Sequence, residues 1–253
     1  MTGHLTLGVI GHVDHGKTAL VRALTGIETD RLREEQERGL SIVLGFSYLD
    51  SSSGILDLID VPGHEDFIRT MISGTTGLDG VLMIIAANEG IMPQTQEHFD
   101  IAQLLGIERG LIVVTKIDLV SAEELEAVEE SIRDYVKGSF LEGAEMVETS
   151  ALKSQGLDAL RSALAGLSNT VAPRDSDDQF FLPVDRAFSM SGFGTVVTGT
   201  LRGGVIRLND HVEILPWDGA ATVRGLQVHK EDVDIAHPGQ RVAVNLRGLK
   251  KGE

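Results

Sequence analysis

The sequence predicts an α/β domain with a doubly wound, mostly parallel sheet, followed by a small β-barrel. Three observations support this prediction. Apolar runs alternate with helical patterns from residue 5 to about residue 165. A polar stretch that contains Pro173, residues 168 to 178, then interrupts the alternation. Beyond it, short β-rich runs are separated by glycine and turn residues. We therefore expect two domains, residues 1–170 and 171–253.

The elements of the first domain follow from its apolar pattern. Four short apolar runs predict buried strands, and a fifth run is weaker: 5–10, 54–60, 79–87, 109–116 and 145–151. Amphipathic stretches predict helices near 17–25, 64–74, 94–105, 122–136 and 157–165. Strands that alternate with helices form parallel sheets, which bind ligands beyond the carboxyl ends of their strands.

The second domain is predicted from five β-rich runs: FFLPVDRAFSM, GTVVTGTLRGG, HVEILPW, ATVRGLQVH and QRVAVNLRG. The sequence stops at GLKKGE without a terminal cap. We therefore expect a fragment of a longer protein that has further C-terminal domains.

Composition limits the possible functions. The 253 residues are 42% hydrophobic and 24% charged, which is typical of a soluble globular protein. The absence of cysteine excludes disulfides and cysteine-ligated metals, and it fits a reducing, cytoplasmic location. We expect neither a signal peptide nor membrane association. The net charge of −16 argues against binding nucleic acid through bulk charge, but not against a local contact with an RNA end.

The first motif, GHVDHGKT at residues 11 to 18, has the spacing of a phosphate-binding loop between a strand and a helix. Its glycines let backbone N–H groups approach phosphates, Lys17 supplies a cation for the β and γ oxygens, and Thr18 offers a hydroxyl to Mg²⁺. A tight strand-to-helix turn is the alternative. The predicted nucleotide contacts are Gly11, His12, Val13, Asp14, His15, Gly16, Lys17, Thr18 and Ala19.

Two further segments offer residues that respond to a γ-phosphate. In DVPGH, Asp60 can reach Mg²⁺ through a water, Gly63 can turn its N–H toward the γ-phosphate, and His64 can position a water. In RGLS, a Ser41 hydroxyl that ligates Mg²⁺ only beside the γ-phosphate makes a switch. Val13 and Leu40 form an apolar gate over His64 in this interpretation. A solvated histidine on a Pro-Gly turn and a charged surface helix are the alternatives.

The base is identified by TKID, residues 115 to 118. The Asp118 carboxylate can accept hydrogen bonds from N1 and N2 of guanine, a donor pair that adenine lacks. The stem of Lys116 can lie along the base. In SAL, formed by Ser150, Ala151 and Leu152, a backbone N–H near Ala151 can meet the guanine O6. The sequence therefore predicts GTP or GDP, bound with Mg²⁺.

These motifs, in this order, resemble those of the translational GTPases. GHVDHGKT, DVPGHEDFI, PQTQEH and GFGTVVTG look like elongation factor Tu and its relatives over nearly the whole chain. Within that group the short segment TDRLREEQERGLSI, Thr115, and PVDRAFSMSGFGTVVTGT resemble the selenocysteine-specific elongation factors. Two residues depart from the wider family: Ser41 replaces Thr, and Thr115 replaces Asn. Ser41 keeps the hydroxyl, so we expect magnesium binding to survive with a looser switch, whereas Thr115 lacks an amide and should weaken the connection between base loop and phosphate loop.

The resemblance implies a P-loop GTPase that delivers selenocysteinyl-tRNA to the ribosome. Asp14, Lys17 and Thr18 would hold phosphates and cations, including a monovalent cation near Asp14. His64, with Lys17 and Asp14, would serve hydrolysis. Thr115, Lys116 and Asp118 would form the base loop. The family also implies a monomer and an mRNA hairpin bound by domains that this sequence lacks.

A cationic pocket is expected in the second domain, because selenocysteine is a selenolate near neutral pH whereas its serine precursor is neutral. The candidates are Arg186 with its neighbour Asp185, Arg247 and His229. Each basic residue also fits a barrel surface on which it pairs with a carboxylate.

Two other functions remain open. One keeps the GTPase but changes its cargo to another aminoacyl-tRNA, initiator tRNA or a sulfate-activation partner. The other is a GTP-gated binding module that does not hydrolyse the nucleotide; His64 argues against it.

Overall fold

The computed structural model describes residues 3–28, 44–51, 54–61, 78–171, 179–190, 194–216 and 219–248. The chain divides into two compact units, Met1–Ala172 and Pro173–Glu253. We retain the domain boundary after residue 170 as a proposal.

A six-stranded sheet forms the centre of the first unit. Its strands are β1 (Gly3–Gly11), β2 (Gly45–Ser51), β3 (Gly54–Asp60), β4 (Gly80–Ala86), β5 (Gly110–Thr115) and β6 (Met146–Glu148). They lie in the order β2-β3-β1-β4-β5-β6, and every neighbouring pair is parallel except β2 with β3. All residues of β4 and β5 are buried, which explains their continuous apolar runs.

Helices cover both faces of this sheet. They are α1 (Lys17–Thr25), α2 (Pro93–Leu104), α3 (Ala122–Tyr135) and α4 (Leu157–Ser168). Successive residues of a strand point to opposite faces, so Ile84 and Ile85 belong to different apolar layers. Ile84 packs in the layer of α1 and α4, and Ile85 in the layer of α2 and α3. Among the described residues, two helices therefore cover each face of the sheet.

The strand β2 is absent from the sequence prediction. It lies at the edge of the sheet and pairs antiparallel with β3, with Gly45 opposite Asp60 and Ser51 opposite Gly54. An edge strand is covered less completely than a central one. Its sequence, GFSYLDS, therefore mixes polar and apolar residues and lacks the continuous apolar run of its neighbours.

The second unit consists of antiparallel strands around one apolar core. The strands are β7 (Val184–Met190), β8 (Gly194–Thr200), β9 (Ile206–Arg207), β10 (His211–Ile214), β11 (Gly219–Val228), β12 (Glu231–Val233), β13 (Ile235–Ala236) and β14 (Arg241–Arg247). The main sheet has the order β10-β11-β14-β8-β7, with β12 paired to β11, and β9 pairs with β13. Along β14, buried Val242, Val244 and Leu246 alternate with more exposed residues.

The predicted fold class, a doubly wound α/β domain followed by a small barrel-like β domain, is confirmed. The helix predicted near 64–74 lies outside the described residues. No helix in the described ranges has both the length and the apolar composition that crossing a membrane requires.

Candidate nucleotide-binding site

The carboxyl ends of the parallel strands bring the sequence motifs to one edge of the sheet. The phosphate loop follows β1, Asp60 ends β3, a turn with Glu89 follows β4, and TKID spans the end of β5. The segment Ser150–Leu152 follows β6. Sheets of this kind bind ligands at this edge, so these segments form the candidate site.

The phosphate loop is shaped by unusual backbone angles. Gly11 has φ 142°, and a Cβ there would lie 2.3 Å from the carbonyl oxygen of Ile84, so only glycine fits. Asp14 and Gly16 have left-handed φ values of 61° and 84°. Lys17 is 6% exposed, and its ammonium donates to the carbonyl oxygens of Gly11 (3.0 Å) and His12 (2.8 Å). The loop therefore encircles a buried cation, as an anion site requires.

Two side chains of α2 accept hydrogen bonds from backbone N–H groups of the phosphate loop. Gln94 Oε1 accepts from the N–H of Val13 at 2.9 Å, and His98 Nδ1 accepts from the N–H of Gly11 at 3.2 Å. Burial, aided by the charge of Lys17, lowers the pKa of His98 from 6.5 to about 4. A neutral ring is what an acceptor at Nδ1 requires. Neither support is predicted from the sequence, although the two residues lie four positions apart within PQTQEH.

Two side-chain oxygens of the kind that ligates a cation meet at the start of α1. Thr18 Oγ1 donates to Asp60 Oδ2 at 2.7 Å, and Asp60 is fully buried. A carboxylate and a hydroxyl are hard oxygen donors, the type that Mg²⁺ prefers, so this pair fits the predicted metal. The predicted partners Ser41, Gly63, His64 and Leu40 lie outside the described residues. The other member of the predicted gate, Val13, lies in the phosphate loop.

The base loop is tied to the phosphate loop. Thr115 is buried, and its Oγ1 donates to the carbonyl oxygen of His15 at 2.6 Å. Lys116 has a left-handed φ of 56°, and Asp118 lies exposed in a short 3-10 turn. We expected a weaker connection between the two loops because Thr115 lacks an amide. Its hydroxyl makes the hydrogen bond to the carbonyl oxygen of His15.

The segment after β6 lies beside the base loop, because the N–H of Ile117 donates to the carbonyl oxygen of Thr149 at 3.4 Å. Ser150 is buried, and its hydroxyl accepts from the N–H of Lys153 at 3.1 Å. Ala151 is partly exposed, and the side chain of Leu152 is exposed. Ala151 and Leu152 are therefore accessible at the surface near the 3-10 turn that contains Asp118.

Two histidines and an acid fill the space behind these loops. His15 is fully buried, and desolvation lowers its pKa to about 4. His12 meets it edge to face with ring centroids 5.2 Å apart, and burial also lowers the pKa of His12. Glu89 was not predicted; its Oε1 lies 3.1 Å from Lys116 Nζ. Burial raises the pKa of Glu89, but the hydrogen bond and charge of Lys116, together with His15 and His12, outweigh burial and leave this pKa below its ordinary value.

In the second unit, Asp185 forms a two-pronged ion pair with Arg241. Asp185 Oδ1 lies 3.0 Å from Arg241 Nη2, and it also accepts from Thr198 Oγ1 at 2.8 Å. Both ion-pair partners are largely buried. Sequence reasoning missed Arg241, because a lone arginine at the start of a β-rich run carries no local signal.

The other pocket candidates lie apart along the sheet order. Arg186 is exposed on β7, and Arg247 is exposed at the end of β14, with β8 between these strands. His229 follows β11, is partly buried and has a left-handed φ of 50°. Asp185 therefore makes its contacts with Arg241 and Thr198 inside the second unit, whereas Arg186 and Arg247 are exposed to solvent.

Residues 2–170 match the family described as the elongation factor Tu GTP binding domain. The chain belongs to this family. Residues 194–253 match a second family, elongation factor Tu domain 2.

The chain is similar to a selenocysteine-specific elongation factor from Desulfomicrobium baculatum. The two are 53% identical over 98% of this chain and 39% of that protein. A crystal structure of a bacterial selenocysteine-specific elongation factor superposes with a TM-score of 0.92 at 38% identity, covering 98% of this chain and 43% of that one. Elongation factor SelB from Methanococcus maripaludis, in complex with the GTP analogue GppNHp, has a TM-score of 0.87 at 32% identity, covering 98% and 52%. The chain thus spans about two fifths of its curated relatives.

Proposed function

We propose that the chain binds and hydrolyses GTP as part of a selenocysteine-specific elongation factor and delivers selenocysteinyl-tRNA to the ribosome. The observation that carries this proposal is the meeting of the phosphate loop, the Thr18–Asp60 pair and the TKID loop at one sheet edge in a chain of the elongation factor Tu family. The similarity to selenocysteine-specific elongation factors supports the choice of cargo.

The nucleotide would be held by the phosphate loop and the base loop. Lys17, already surrounded by carbonyl oxygens, would meet the β- and γ-phosphates, and exposed Asp118 would accept from guanine. Thr18 and Asp60 would hold Mg²⁺, with Ser41 joining when GTP is bound. When bound, this ion neutralises charge on the β- and γ-phosphates.

Hydrolysis would depend on positioning and charge stabilisation. His64 would orient water beside the N–H of Gly63, and Asp14 would lie next to a monovalent cation in the phosphate loop. His64→Ala should abolish ribosome-stimulated hydrolysis and leave GTP affinity nearly intact. A large loss of nucleotide affinity would refute that role for His64.

The second unit would cover the aminoacyl end of the tRNA. A selenolate there needs nearby positive charge, which Arg186, Arg247 and His229 can provide, while Asp185 anchors Arg241 in the same sheet. An mRNA hairpin would be bound by domains beyond this chain. We propose that the factor acts as a cytoplasmic monomer.

The test measures binding of selenocysteinyl-, seryl- and cysteinyl-tRNA to the GTP-bound chain. Preference for the selenocysteinyl form supports the proposal, and Arg186→Met should reduce that preference. Equal binding of all three would indicate a different cargo. Failure to bind GTP would reject the GTPase itself.

A further inference from the structure

Glu89 lies between the two loops that would hold the nucleotide. It occupies the turn after β4, where its N–H donates to the carbonyl oxygen of Ala86 at 3.1 Å. One carboxylate oxygen lies 3.1 Å from Lys116 Nζ in the base loop. The other lies 3.8 Å from His15 Nε2 in the phosphate loop. A single carboxylate therefore faces both loops.

The surroundings distinguish this contact from an ordinary surface ion pair. The side chains of Lys116 and Glu89 are only 29% and 31% exposed, and His15 is fully buried. Within the described residues, His15 Nε2 has no hydrogen-bond partner, so Glu89 is the polar group that this buried nitrogen faces. Partial burial reduces screening by solvent and so strengthens the attraction between Glu89 and Lys116.

Lysine has a long side chain with many rotamers, and ordering it on binding a ligand has an entropic cost. The 3.1 Å contact restricts the Lys116 ammonium before any ligand arrives. The stem between that ammonium and the backbone, which is itself in the left-handed conformation, is the part that can lie along a base. An acid at position 89 thus prepares the base site without touching the base.

We infer that Glu89 is a positioning residue for nucleotide binding: its carboxylate fixes Lys116 at the base site. This inference rests on the proposed binding of guanine nucleotide. Glu89 acts through Lys116, so its removal should weaken retention of the nucleotide without changing which base is preferred.

The test follows dissociation of a fluorescent GDP analogue from the whole chain in stopped flow. Glu89→Gln keeps the size of the side chain but removes its charge, and we expect dissociation roughly three- to tenfold faster. Glu126→Gln, which removes one charge from an exposed position on α3, is the matched control and should leave the rate unchanged. The ratio of GDP to inosine diphosphate affinity should also remain unchanged in Glu89→Gln.

A double-mutant cycle separates positioning from a general structural effect. In a Lys116→Gln background, Glu89→Gln should add little to the dissociation rate, because its target is gone. The inference is overturned if Glu89→Gln behaves like Glu126→Gln, or if it accelerates dissociation by the same factor with and without Lys116. If the unaltered chain fails to retain the analogue, the proposed function falls and this inference falls with it.

Discussion

The hydroxyl of Thr115 donates to the carbonyl oxygen of His15 at 2.6 Å. This bond joins two loops that are 100 residues apart in the chain. Threonine has no side-chain amide, which led us to expect a weaker connection. This side chain reaches the phosphate loop by itself, and it lies where little water can compete for the bond.

Replacing Thr115 with valine should therefore destabilise the protein. The carbonyl oxygen of His15 would lose its donor in a buried position, at a cost of about 1–3 kcal/mol. The midpoint of thermal unfolding should fall by several degrees, and GDP should dissociate faster. Thr115→Ser, which retains the hydroxyl, is the control. Equal behaviour of the two variants would show that the hydroxyl bond contributes nothing.

Asp118→Asn should change the preferred base from guanine toward xanthine. The carboxylate would accept from two donors of guanine, whereas the amide of asparagine can donate to the carbonyl oxygen that xanthine has in place of the N2 amine. We expect GDP affinity to drop by about a hundredfold or more, because the bond from the N2 amine is lost and the bond from N1 is no longer to a charged group. Competition between GDP and xanthosine diphosphate measures the change. An unaltered ratio would remove Asp118 from the base site.

Thr18→Ala should weaken the binding of Mg²⁺, so a higher Mg²⁺ concentration should be needed to retain the nucleotide. The variant lacks the hydroxyl that lies 2.7 Å from Asp60 Oδ2, and the loss of one ligand should lower metal affinity roughly ten- to a hundredfold. Titration of Mg²⁺ against GDP dissociation provides the measurement, with Thr18→Ser as the variant that retains the ligand. Identical titration curves for alanine and serine would exclude Thr18 as a ligand.

His98 should make the protein less stable at mildly acidic pH. Burial lowers its pKa from 6.5 to about 4, so the unfolded chain binds more protons than the folded protein between these values. The contribution of His98 to the free energy of unfolding is thus fully present above pH 6.5 and decreases as the pH drops toward 4. For this residue, the loss between pH 7 and pH 5 is about 2 kcal/mol.

His98→Asn tests this expectation, because its Oδ1 can still accept from the N–H of Gly11 but does not titrate. The difference in unfolding free energy between pH 7 and pH 5, measured with urea, should shrink. His15 has a similarly low pKa, so part of the pH dependence should remain. An unchanged difference in His98→Asn would contradict the prediction.

The sequence predicts the central strands well, because β4 and β5 are buried on both faces and therefore contain only apolar and small residues. It fails for β2, whose edge position permits Ser47, Tyr48 and Asp50. The loops were recognised from local spacing. The supports of the phosphate loop were not, since Gln94 and His98 contact residues far away in the chain. Arg241 was missed for the same reason, because its partner Asp185 lies 56 residues away.

The support of the phosphate loop by α2 has a consequence for protein engineering. Gln94 and His98 cap N–H groups that lie 81 and 87 residues earlier in the chain. The eight residues GHVDHGKT are therefore not a portable module. If they were grafted onto another strand and helix that lacks the two acceptors, the N–H groups of Gly11 and Val13 would have no partner. The grafted loop would then bind phosphate more weakly.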